Sequence, residues 1–373
     1  MNIAIDARMY GNEECTGIGT YIKNLTDNLF EIDKVNEYVL FLREPAYSNF
    51  QPPTSHVNKC LVTPRWYSYA EQTLLPSQFM KEDFDLIHYP HFNSPIFFPK
   101  KSVCTIHDLT PLFFPGHKMN SLFRRLAYRA VFASTLHKAS KIIAVSQSTK
   151  DALLKHFSIN PDKITIIYEG VDENFKIIND CGIINKVKNK FNIAKPFIFF
   201  LGVWRGHKNI EGLVKAFNLL KTKHKIEHQL VLAGREDLHY TNVRAEINAS
   251  PYKNDIITTG YVSNDELPIL YNAADAFVLP SFIEGFGLIA IEAQACGCPV
   301  ISTNTTSMPE VLGDSALFFN PSDCAEMADK IFQVLTDKEL KQNIIEKGLK
   351  NAKRFNWRLC AEQTLEIYNA IND

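Results

Sequence analysis

The sequence predicts an α/β protein built from two doubly wound, parallel-sheet domains. Short β-branched or aromatic runs alternate with longer amphipathic segments, the pattern of strands joined by crossover helices. The series stops and restarts once, at residue 197. The length, 373 residues, matches two cores at roughly 150 residues per domain.

The first series consists of NIAIDA (2–7), YVLFL (38–42), FDLIHY (84–89), VCTIHD (103–108), KIIAVS (141–146) and ITIIYEG (164–170). The second consists of FIFFLG (197–202), LVLAG (230–234), IITTGYV (256–262), AFVLPS (276–281), PVISTN (299–304) and ALFFNP (316–321). Between them, 171–196 is polar, rich in lysine and asparagine, and ends in a proline, so it reads as a connection. The expected domains are 1–177 and 178–355. In 354–371, Trp357, Cys360, Ala361, Leu365 and Tyr368 recur near helical spacing, which predicts a helix with one face packed.

Forty Lys and Arg against 41 Asp and Glu leave a formal charge of -1, so no global electrostatic argument favours nucleic acid as a partner. The eight cysteines are scattered without CxxC pairs, as expected of reduced cytosolic thiols rather than staples or zinc ligands. The start, MNIAIDARMYG, enters a strand at once and meets Asp6 and Arg8, so no secretory leader fits. No apolar run approaches the ~20 residues of a membrane span.

Ligands of open parallel sheets bind beyond the carboxyl ends of the strands. At one such end, 201-LGVWRGHKNIEGLVKAF-217 places Arg205, His207 and Lys208 ahead of a helix. A helix N-terminus already carries partial positive charge, so added cations there suit an anion such as a diphosphate. A solvated loop with ordinary surface charges is the other reading. At another strand end, 281-SFIEGFGLIAIEAQACG-297 places Glu284 in a loop and Glu292 in the second turn of an apolar helix, with Gly285 and Gly287 admitting close approach of a ligand. A buried carboxylate needs a partner, and the paired hydroxyls of a ribose would serve. Alternatively, Glu292 lies on an exposed stripe.

The E-x7-E spacing with EGFGL, the RGHKN after a strand ending in LG, and 260-GYVSNDELPILYNAADAFVLPS-281 together resemble the retaining family 4 glycosyltransferases of the GT-B fold. The resemblance implies two Rossmann-like domains facing a central cleft. It implies that Arg205 and Lys208 bind the donor diphosphate, Glu292 the ribose and Glu284 the donor sugar. Gly285, Phe286, Gly287 and Leu288 would line the donor site, with the base near Tyr261 and Val262. The last helix, 356–371, would return to the first domain. In the first half, Gly17 and Gly19 precede a predicted helix, but Ile22 stands where a dinucleotide fingerprint needs a third glycine. Those glycines are therefore expected to admit donor phosphate or acceptor. His107, before Asp108, is backbone-held on composition alone and faces the donor sugar by resemblance. Glu169 stands where the family often has asparagine.

The implied reaction is a retaining transfer from a nucleotide-diphosphate sugar to a hydroxyl, with Arg205, Lys208 and a helix N-terminus stabilising the leaving group and neither metal nor cofactor required. Asp83-Phe84-Asp85 fits a metal-binding DxD pattern but precedes a strand. Cys296-Gly297-Cys298 sits at a helix end, and Ser146 reads as a helix cap. An epimerase or phosphorylase of the same fold, or a binding-only protein, are the other classes. WRGHKN with IHDLTPLFFP resembles mannosyltransferases of bacterial surface polysaccharide (O-antigen) assembly, implying GDP-mannose as donor and a lipid-linked glycan as acceptor. Finally, 112–132 interleaves Phe113, Phe114, Leu122 and Phe123 with Lys118, Arg124, Arg125 and Arg129. That pattern suits either an anionic membrane surface or an ordinary helix with a buried apolar face. The expected location is cytoplasmic, attached to the inner face of the plasma membrane.

Overall fold

The structure is a computed structural model that describes residues 1–11, 17–116 and 121–372. The chain divides into two compact units, Met1–Gly170 together with the segment from Asn356 onward, and Val171–Phe355. The first unit ends at Gly170, ahead of the expected position 177.

The first unit is built on β1 (Asn2–Asp6), β2 (Glu37–Leu42), β3 (Val57–Leu61), β4 (Leu86–Tyr89), β5 (Lys101–Ile106), β6 (Lys141–Ala144) and β7 (Ile164–Ile166). All pair in parallel, in the order β3-β2-β1-β4-β5-β6-β7. Strands covered on both faces are apolar almost throughout, as β2 is after its first residue. The sequence does not announce β3: it lies at the sheet edge, where VNKCL can keep asparagine and lysine partly exposed. The order reverses between β1 and β4, the switch point where such sheets bind ligands.

Helix Gly17–Ile32 packs against the last helix, Trp357–Asn372, with Tyr21 meeting Trp357 at 5.9 Å between ring centres and Leu25, Leu29, Cys360, Ala361 and Tyr368 all buried. The last helix thus completes the first unit. A Cβ on Gly170 would lie 2.2 Å from the Trp357 nitrogen, so only glycine lets that helix start so close to the sheet. Ser146 caps helix Gln147–His156, its hydroxyl accepting the Thr149 N–H at 3.1 Å.

The second unit carries β8 (Phe197–Leu201), β9 (Gln229–Ala233), β10 (Ile256–Gly260), β11 (Ala276–Leu279), β12 (Val300–Thr303) and β13 (Ala316–Phe319). They are parallel in the order β10-β9-β8-β11-β12-β13, with the switch point between β8 and β11. The segment expected to be a plain connection holds a helix, Cys181–Lys190, capped by Asp180 and packed on helix Leu267–Ala273. Its buried face is reduced to Val187, which explains why its composition reads as loop.

Candidate functional site

At the second switch point the chain leaves β8, makes a 3-10 turn over Gly206–Lys208, passes through left-handed Asn209 (φ 52°) and enters helix Ile210–His224. The Asn209 amide donates to the carbonyls of Pro280 (3.1 Å) and Pro321 (2.8 Å), tying this loop to those after β11 and β13. Phe282 N–H donates to the His207 carbonyl at 2.8 Å. The result is a 2.6 Å ion pair between Lys208 Nζ and Glu284 Oε1, with side chains 17% and 11% exposed. Burial alone would push the Glu284 carboxyl up, but the charge and hydrogen bond of Lys208 hold it below its ordinary value. Burial, then the Lys208 charge, push His207 down to about 4, so its ring is neutral. The solvated-loop reading fails for Lys208. It describes Arg205 better, which is half exposed with Nε 3.8 Å from Asp237.

A loop that the sequence reading passed over holds Glu284 from below. Thr306 Oγ1 accepts the Glu284 N–H (3.1 Å), Ser307 Oγ donates to the Glu284 carbonyl (3.0 Å), and Thr305 Oγ1 donates to the Phe282 carbonyl (3.1 Å). The run of hydroxyl residues after PVIST was the available signal. Gly287 has φ +80°, and a Cβ there would lie 2.2 Å from Met308 Cε. Phe286 is buried edge-on against Phe355, and partly buried Leu288 opens helix Leu288–Ala295, near Gly285.

Glu292 is 7% exposed, which rules out the exposed stripe. It also has a side-chain partner within the fold: the Tyr271 hydroxyl donates to Oε2 at 3.3 Å. Tyr271 lies within the stretch PILYNAAD (268–275), but its reach to Glu292 depends on how two helices pack. Beyond β10, Val262 is buried, while Tyr261 is half exposed with the Arg235 guanidinium 5.5 Å from its ring centre.

In the first unit, Arg8 is buried at the end of β1, bound to Asp6 through two 2.7 Å hydrogen bonds and lying 2.6 Å from Glu71. Asp6 and Arg8, with Trp66, His91 and Asn93, line a cavity of about 20 Å³, room for one water-sized group, at the β1/β4 switch point. The sequence reading used Asp6 and Arg8 only to exclude a leader. Gly17 and Gly19 lie in the first turn of their helix rather than ahead of it. The preceding loop residues, 12–16, are outside the described residues, as is Lys118. His107 follows β5 and is held inside its own unit, Nδ1 to Glu169 Oε1 at 2.8 Å and Nε2 to the Pro90 carbonyl at 3.0 Å. The backbone-held reading thus applies to one ring nitrogen, and Glu169 takes the other.

Of the DxD pattern, exposed Asp83 lies 3.8 Å from Lys100 and Asp85 accepts the Asn2 N–H, at the opposite strand end from these sites. Cys296 and Cys298 are buried free thiols flanking Gly297 (φ +73°), and burial pushes Cys296 up to about 12. Among the described residues no group of three or more His, Cys, Asp or Glu could hold a metal ion. Among them, too, no helix is long and apolar enough to cross a membrane.

Two Rossmann-like parallel-sheet units, each with its own switch point, give the chain the GT-B architecture. Residues 183–351 match the glycosyl transferases group 1 family, and residues 16–175 match Glycosyltransferase Family 4. The chain belongs to that glycosyltransferase family. It is 30% identical over 291 residues to O-antigen chain mannosyltransferase B of Escherichia coli, covering 77% of this chain and 74% of the relative. It is 32% identical over 277 residues to the serotype-specific mannosyltransferase WbdA of Escherichia coli, covering 73% of this chain but only 34% of that longer protein. The solved sucrose-phosphate synthase of Thermosynechococcus elongatus superimposes with a TM-score of 0.79 at 21% identity over 99% of this chain and 98% of that one.

Proposed function

We propose that the chain is a retaining, metal-independent mannosyltransferase that moves mannose from GDP-mannose to a hydroxyl of a lipid-linked glycan. The observation that carries the reading is the partly buried Lys208–Glu284 pair, set between the strand ends of the switch point and beside the start of helix Leu288–Ala295. Lys208, Arg205 and that helix N-terminus supply positive charge where a departing diphosphate gains negative charge, the electrostatic help that a metal would otherwise give. Glu284, freed from Lys208 as the diphosphate takes the ammonium, accepts hydroxyls of the donor sugar. Glu292, already oriented by Tyr271, accepts the ribose hydroxyls. Tyr261 and Val262 border the base, and Gly285, Phe286, Gly287 and Leu288 the phosphates. Mannose as the donor sugar is supported by the names of the relatives at about 30% identity.

The test is incubation with GDP-mannose, UDP-glucose or ADP-glucose and a mannosyl lipid acceptor in excess chelator, with products read by mass and anomeric configuration by NMR. The reading expects transfer from GDP-mannose with retention. Sugar-nucleotide conversion without acceptor, inversion, or loss of activity in chelator would each overturn part of it.

The proposed place of work is the inner membrane face. Helix Leu122–Lys138 exposes Leu122 (73%), Phe123 (69%) and Leu126 (58%) alongside exposed Arg124, Arg125 and Arg129, so its first half does not bury an apolar face. Each basic residue adds ~1 kcal/mol at an anionic surface. Flotation with anionic liposomes should show salt-sensitive binding that is lost when the three arginines are replaced. No binding at low salt would leave an unattached enzyme.

A further inference from the structure

We propose that Glu169 is a positioning residue that holds His107 as a doubly protonated, immobile imidazolium at the carboxyl edge of β5. The argument starts from what each ring nitrogen faces. The Pro90 carbonyl, 3.0 Å from Nε2, can only accept, so Nε2 carries a hydrogen. Glu169 Oε1 lies 2.8 Å from Nδ1, and an ionised carboxylate likewise only accepts. The pair is well shielded, with side-chain exposures of 14% and 8%, so a charge-assisted hydrogen bond is strong there.

The surroundings favour the same protonation state. Burial opposes a charged ring, but the hydrogen bond and charge of Glu169, then the Pro90 carbonyl and Asp108, outweigh it and raise His107 above its ordinary value. The other histidines interacting with it, His88 and His91, are each pushed down to about 3, chiefly by burial, and so bring no competing cation. Arg8 acts on His91, and the Cys360 thiol, near Glu169, is pushed up by burial and stays neutral.

Packing fixes the ring as well as its charge. Tyr21 meets it edge-on at 4.8 Å between ring centres. The Tyr21 hydroxyl lies 3.1 Å from Thr105 Oγ1, which is 2.8 Å from His88 Nε2, and His88 Nδ1 is 2.6 Å from the Tyr368 hydroxyl. This buried chain ties the ring's neighbour to the last helix. That helix also presses on the backbone at Gly170, next to Glu169.

With both nitrogens donating, His107 has no lone pair to take a proton from an acceptor hydroxyl. It serves by fixed charge and shape and is not a general base. This functional half rests on the proposed transferase reading, whereas the protonation state does not.

The test is NMR of the full chain with isotope-labelled histidine, His107 assigned through His107→Gln. The expected wild-type spectrum at pH 7 shows both ring nitrogens protonated, so the titration midpoint lies above that pH and above the ordinary histidine value of ~6.5. Glu169→Gln lowers the midpoint by at least about one unit, a tenfold change in proton affinity, and Glu169→Asp largely preserves it. In transfer from GDP-mannose, Glu169→Gln lowers kcat about tenfold with KM little changed, and Glu169→Asp restores most of the rate. A neutral His107 in the wild type at pH 7, or an unchanged midpoint in Glu169→Gln, overturns the proposal. Should Glu169→Gln not fold, the wild-type spectrum and Glu169→Asp decide it. A protonated ring in a chain without transferase activity would sink the proposed function and leave the positioning role standing.

Discussion

Replacing Lys208 with methionine keeps the length of the side chain and removes its charge. Glu284 would then stand 11% exposed, with its carboxylate deprived of the ammonium 2.6 Å away. Losing one partner of a buried pair costs about 3–5 kcal/mol, because the remaining charge has been desolvated without compensation. Both side chains keep some access to water and the Glu284 backbone stays anchored, so the lower end, about 3 kcal/mol, applies. In a unit of this size that lowers melting by roughly 6–12 °C. Glu284→Gln alone should cost less, since the exposed fraction of Lys208 can be rehydrated. The double variant should recover much of the loss, giving a coupling of at least about 1 kcal/mol. Hydrogen exchange by mass spectrometry on peptides covering 197–217 and 276–296 localises the effect to the second unit. The sign of the pH dependence follows from the lowered Glu284 pKa: the pair's contribution is present above the unfolded carboxyl value of ~4.3 and is lost as pH falls through the folded value. Additive single losses, or a Lys208→Met variant within 0.5 kcal/mol of wild type, where ordinary surface changes fall, would refute the reasoning.

Glu292→Ala should leave the fold intact and weaken GDP and GDP-mannose together by roughly 10–100-fold, the loss of a charge-assisted hydrogen-bond pair, as measured by calorimetry. Arg205→Ala, half exposed and 3.8 Å from Asp237, should change stability by under about 1 kcal/mol while lowering turnover at saturating donor; unchanged turnover would remove it from the diphosphate site. Gly287→Ala should cost at least about 2 kcal/mol, since the residue sits at φ +80° with Met308 Cε 2.2 Å from the new Cβ, and Met308→Ala should relieve only the contact part; urea unfolding measures both. His88, pushed down to about 3, stays neutral in the fold while the unfolded chain takes a proton below ~6.5, so stability should fall as pH drops through that window and the slope should flatten in His88→Asn.

Twelve strands were legible as apolar runs because a parallel strand covered on both faces has almost no polar positions to disguise it. The edge strand Val57–Leu61 and the helix Cys181–Lys190 were hidden for the opposite reason: each buries little, so each looks like a loop. Spacing alone marked Lys208, Glu284 and Glu292 as chemistry-bearing, since cations ahead of a helix and a carboxylate inside an apolar one break the local pattern. Spacing could not show that Lys208 and Glu284, 76 residues apart, are one ion pair, that Tyr271 holds Glu292, or that Glu169 takes the second nitrogen of His107. Those contacts join elements distant along the chain, and the strand order brings them together. Sequence by itself determined the periodicity, the parallel sheets and the residues that cost energy to bury. Only the tertiary structure decided their partners, because a buried charge is satisfied by whatever the packing of other elements brings within about 3 Å.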